Sequence, residues 1–108
     1  MTTESNLDET LRDRGNKYGS FRGNASTTQG MYAIALTGEN TRALTSCHKE
    51  AIHMILHKIS RIMNGDPDHV DSWLDIAGYA QIMIKEIESR AKPKRIDTSK
   101  IGPNGETT

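Results

Sequence analysis

The chain has 108 residues, 34% of them hydrophobic, and its fourteen acidic and fourteen basic residues cancel. That length holds one domain at most, with a core small enough that oligomerisation is expected. Neutrality removes any global field that would gather nucleic acid or an anionic membrane surface, no apolar run approaches the roughly 20 residues of a membrane span, and one cysteine, Cys47, excludes an intrachain disulfide framework. The polar, acidic start, MTTESNLDET, is unlike a secretory signal, so a cytoplasmic location is expected.

Residues 1–6 read as a flexible N-terminus, 7–91 as a single helical domain, and 92–108 as a flexible tail with a basic start at Lys92, Lys94 and Arg95. The first helix is predicted over 6–15, with Asn6 able to cap it and Gly15 able to end it. Residues 16–27 read as a loop anchored by Tyr18 and Phe21 between Gly19 and Gly23, and a second helix follows over about 25–37. Residues 38–44 form a connector.

The strongest periodicity lies in SCHKEAIHMILHKISRIMN, residues 46–64, with Ser46 as a good cap and Gly65 as the expected stop. Ile52, Ile55, Leu56, Ile59, Ile62 and Met63 share one face, and Glu50, His53, His57 and Arg61 share the other. After the turn GDPD a last helix is predicted over about 68–91, with Asp68 as its cap. Its core face holds Trp73, Ile76, Ala77, Ala80, Met83, Ile84 and Ile87. Asp71, Asp75 and Gly78 lie elsewhere, with Tyr79 and Ile82 beside them, so neighbours are expected on both sides of this helix.

Two helices joined by a short turn pack antiparallel, which sets the polar strip Glu50/His53/His57 against Asp71 and Asp75. Such carboxylates suit Mg²⁺, which keeps several waters and completes its octahedron with substrate phosphates. Lys58 and Arg61 stand ready for those phosphates. Each residue also has a plainer role open to it. Asp71 can answer the free amides of its helix start, Glu50 can pair with a basic neighbour, and Tyr18 and Phe21 can be local core. His53 and His57 have a spacing that zinc sites use, but no further ligand follows them.

The segments RGNKYGSFRGNA, HKISRIMNGDPDHVDSW and DIAGYA resemble a small family of phage and prophage proteins over roughly residues 12–88. More distantly, the last two helices resemble the all-α nucleoside triphosphate pyrophosphohydrolases, the MazG and dimeric dUTPase group. Of that group's carboxylate motifs, Glu50 and Asp75 stand in place, whereas Lys49, His53 and Ser72 occupy other acidic positions. The resemblance implies an all-α, compact three- to four-helix bundle that oligomerises. It implies Glu50 and Asp75 as catalytic carboxylates, Mg²⁺ held by Glu50, Asp71 and Asp75, and phosphates met by Lys58 and Arg61. Tyr18, His53, His57 and Tyr79 would turn to the nucleotide. The reaction would convert a nucleoside triphosphate to a monophosphate and pyrophosphate. The alternative is a non-catalytic factor that binds a nucleotide or a host protein.

Overall fold

The computed structural model describes residues 3–91, with side chains from residue 6 onward, and the basic tail lies outside that range. All regular structure among the described residues is helical: α1 (Thr3–Tyr18), α2 (Phe21–Ala35), α3 (Ser46–Asn64) and α4 (Val70–Ala91), with one 3-10 turn at Thr41–Ala43. None of these helices is long and apolar enough to cross a membrane.

The first two helices depart from the sequence reading, and the reason is glycine. Gly15 was expected to stop α1, yet the helix runs through it, because a helical glycine costs only about 1 kcal/mol against alanine. The stop comes at Gly19, whose φ of 84° is the left-handed conformation of a helix end and whose amide donates to the Gly15 carbonyl at 2.8 Å. Most of the expected loop over 16–27 is therefore helical. Ser20 caps α2 by accepting from the Gly23 amide at 3.0 Å, so α2 begins at Phe21 rather than near residue 25. Phe21 is 87% exposed and is not local core.

α3 occupies the predicted span. Its cap is Thr45: the Thr45 hydroxyl accepts from the His48 amide at 3.2 Å, and the Thr45 amide donates to His48 Nδ1 at 3.0 Å. At its other end Gly65 presses against the α1 terminus. A Cβ there would lie 2.5 Å from the Tyr18 carbonyl carbon, and the next amide, Asp66, donates to the Lys17 carbonyl at 3.0 Å. In the turn, Asp66 Oδ1 accepts from the Asp68 amide at 2.9 Å, so the turn ends before α4 starts at Val70 and Asp68 is not the cap.

α3 is the hub. α2 and α4 pack on it, and α1 meets it more lightly. Ala51 is the one buried hydrophobic residue among those described, and the other buried positions are Asn24, Thr28, Lys58, Ser60 and Ser72. The apolar arc read as the α4 core face is only partly inside. Ile76 and Met83 are half-buried, whereas Trp73, Ala77, Ala80, Ile84 and Ile87 are exposed. Periodicity identified an apolar arc, but among the described residues α4 packs on α3 alone, so it has a neighbour on one side only.

Candidate functional site

The polar strip of α3 divides: His53, His57 and Arg61 turn toward α2 and the end of α1, and Glu50 alone lies beside α4. Tyr32 stacks at a tilt on His53 with 5.0 Å between ring centroids. One turn on, Thr28 donates to the buried Ser60 hydroxyl at 2.9 Å, and Ser60 donates to the His57 carbonyl at 2.7 Å. Asn24, also buried, donates through Nδ2 to the Tyr18 carbonyl at 2.7 Å. Asn64 Nδ2 donates to Thr27 Oγ1 at 3.1 Å. These polar side chains fix α2 and the end of α1 against α3, where an unmade bond would cost more than a made one contributes.

The result is a cleft of about 360 Å³ at the junction of the first three helices. Tyr18 is its centre. The Arg61 guanidinium carbon lies 4.5 Å from the ring centroid and that of Arg14 lies 5.0 Å from it. His69 meets the ring edge-on at 5.1 Å, and its Nε2 is hydrogen-bonded to the Tyr18 hydroxyl at 3.3 Å. Phe21, Asn24 and His57 complete the cleft wall. So does the first turn of α2, whose amides carry the positive end of a helix dipole and which holds no acidic residue.

Charge here is one-sided. Among the described residues no carboxylate lies within ion-pair distance of Arg14 or Arg61. Arg61 Nε is buried and has no hydrogen-bond partner, an expensive arrangement unless something else accepts from it. Burial pushes the His57 imidazole below its ordinary value of 6.5, with Arg61, Lys58 and His53 adding repulsion. His57 therefore stays neutral near pH 7 and can accept as well as donate.

The carboxylates predicted to hold a metal are placed differently. Asp75 Oδ2 lies 3.0 Å from the Nζ of the buried Lys58, which already fills the position a cation would take. Glu50 lies eight residues before Lys58 on α3, about 12 Å away along the axis, beside Tyr79, Ile82 and Glu86 in an apolar groove of α3 and α4. Asp71 approaches His69 at 3.8 Å in the first turn of α4. Among the described residues no three His, Cys, Asp or Glu side chains come together to hold a metal ion. Glu50, Asp71 and Asp75 do not fit a Mg²⁺ site within one chain, and no reaction step is derived through one.

Of the residues singled out in the sequence, the cleft unites Tyr18, His57 and Arg61. It leaves His53 against Tyr32, Tyr79 in the α3/α4 groove and Lys58 on Asp75. Arg14 and the α2 N-terminus went unread. Arg14 stands four residues before Tyr18, a spacing that joins side chains only if the helix passes through Gly15.

The model of a protein family described as Domain of unknown function (DUF6378) matches residues 6–87, a span holding all of the cleft residues. No curated protein and no solved structure matches the chain.

Proposed function

The chain belongs to the DUF6378 family, and from that premise we propose that it binds a phosphorylated, ring-bearing ligand of the nucleotide class in the Tyr18 cleft. One observation carries the reading: Arg61 stacks on Tyr18 and lines the cleft with no described carboxylate within ion-pair distance of it. A phosphate oxygen is the acceptor that the guanidinium fork fits best. Arg14 and the first amides of α2 add to the same positive wall, while Phe21 offers an exposed aromatic face to a base. Neutral His57 and the Asn24 side chain supply polar edges.

The reading is one of binding. Hydrolysis would need a group that activates water, and the carboxylates best placed in the sequence for that work, Glu50 and Asp75, lie outside the cleft lining. Isothermal titration with nucleoside mono-, di- and triphosphates, the bare nucleosides and pyrophosphate tests it. At least one nucleoside phosphate is expected to bind more tightly than both its nucleoside and pyrophosphate. Arg61→Gln should weaken that binding about tenfold or more, the worth of a charge-assisted pair. No binding by any nucleoside phosphate at millimolar concentration would overturn the proposal.

A further inference from the structure

α4 carries two parallel stripes at heptad spacing, offset by one residue. The first, Ser72, Ile76, Tyr79, Met83 and Glu86, comprises the buried and half-buried positions of the helix and faces α3. The second, Trp73, Ala77, Ala80, Ile84, Ile87 and Ala91, is apolar throughout and exposed, with Trp73 at 54%, Ile84 at 47% and Ile87 at 46%. Alternating steps of four and three residues form the seam by which one helix packs along another. A solvated helix face has no reason to keep that pattern unbroken over five turns.

We infer that a second copy of this chain covers the exposed stripe, with the two α4 helices antiparallel about a two-fold axis. The stripe is complementary to its own reverse. In one antiparallel register Ile84 of one protomer lies opposite Ala80 of its partner, Ile87 opposite Ala77, and Trp73 opposite Ala91. Each large side chain meets a small one, and every pair occurs twice, as a two-fold interface requires. A zero net charge opposes no such pairing.

The amount of surface agrees. α3 adds Met63, 71% exposed, and the half-buried Ile52, Ile55, Leu56, Ile59 and Ile62. With the α4 stripe this comes to something on the order of 700 Å² of apolar surface per chain, near the roughly 800 Å² that a stable interface takes from each partner. Ala51, the one buried hydrophobic residue among those described, is too little to hold four helices, and two α3/α4 hairpins face to face would enclose the core that one lacks. The inference does not depend on the ligand proposed for the Tyr18 cleft.

Sedimentation velocity on the full chain between micromolar and 100 micromolar should give twice the 12.0 kDa chain mass, with a melting temperature that rises with concentration. A single-chain mass with a concentration-independent melting temperature would overturn the inference, leaving the stripe to a foreign partner. Compensating substitutions test the register. Ala80→Ile sets isoleucine against isoleucine and Ile84→Ala sets alanine against alanine, so each should weaken the dimer tenfold or more. The double variant restores large against small and should return to within a few-fold of the parent. Additive weakening in the double variant would overturn the proposed seam, as would singles that leave the dimer unchanged.

Discussion

Lys58 and Asp75 join α3 to α4 through a contact of 3.0 Å in which the lysine side chain is 11% exposed and the aspartate 49%. The two members are therefore not equivalent. Removing the carboxylate in Asp75→Ala leaves an ammonium buried without its partner, and even after allowing for the solvent around Asp75 this should cost about 1–2 kcal/mol. Lys58→Met removes the buried charge itself and keeps most of its volume, so it should come out near neutral. Urea denaturation of both variants at one protein concentration measures the asymmetry. Equal costs would contradict it.

The same contact predicts the response to metal. With Lys58 in the cation position of Asp75, and Glu50 about two turns away along α3, the described residues hold no assembled cage for a divalent ion to tighten. Melting temperatures in excess EDTA and in millimolar Mg²⁺ should agree to within about a degree. A rise with Mg²⁺ that Asp75→Ala abolishes would mean that Asp75 gives up Lys58 and takes part in a metal site after all.

His57 sets a pH dependence whose sign follows from its environment. Its native-state pKa is below 6.5, first because of burial and then because of Arg61, Lys58 and His53. Where pH falls below 6.5 the unfolded chain binds a proton that the native chain refuses, so stability is full above that value and declines beneath it. Denaturation midpoints at pH 7.5 and 5.5 should show the decline, and His57→Gln should shrink it. An anion seated beside Arg61 would favour the imidazolium, so ligand binding should strengthen as pH falls and take up a proton. A nucleotide affinity that weakens between pH 7.5 and 6 would count against the cleft as the binding site.

Two glycines, Gly15 within α1 and Gly19 just past its end, should respond oppositely to the same substitution. At Gly19 the φ of 84° disfavours any side chain, and a Cβ would lie 2.6 Å from the Asn64 carbonyl oxygen. Gly19→Ala should cost about 2–3 kcal/mol and loosen the wall of the cleft. At Gly15 a Cβ meets nothing within 4 Å and the backbone is helical. Gly15→Ala should stabilise by about 0.5–1 kcal/mol. Thermal melts followed by helical circular dichroism separate the two.

Those glycines also explain what could be read from the sequence. Residues 46–64 were legible because cap, period and stop agree there. Between residues 6 and 35 the periodicity was weak and Gly15 and Gly23 read as breaks, whereas packing carries helix through both. On α4 the apolar arc was legible but its neighbours were not. Ile76 and Met83 face α3, while Trp73, Ala77, Ala80, Ile84 and Ile87 face outward. The polar strip of α3 was likewise visible as a strip. That His53 meets Tyr32 of α2 and His57 lines the Tyr18 cleft, neither turning to Asp75 of α4, is a fact of long-range packing, to which a helical period is blind. The cleft inherits this limit, since Arg61, Tyr18 and Arg14 meet only once α1 has run past Gly15.

The junction that fixes the cleft rests on Thr28 and Ser60, which are 2% and 0% exposed and hydrogen-bonded at 2.9 Å. Thr28→Val alone removes the donor to Ser60 while leaving the Ser60 hydroxyl bonded to the His57 carbonyl, so its cost should be modest, about 1 kcal/mol. Ser60→Ala strands the Thr28 hydroxyl in a buried site and should cost about 1–3 kcal/mol. With both substituted neither hydroxyl remains to be satisfied, so the double variant should be more stable than the sum of the singles predicts. The coupling between two contacting polar groups falls in the range of about 0.5–3 kcal/mol. A double-mutant cycle by chemical denaturation reads it directly. Strict additivity would mean that the two hydroxyls do not depend on each other, and that Asn64 on Thr27 and Tyr32 on His53 hold α2 to α3 without them.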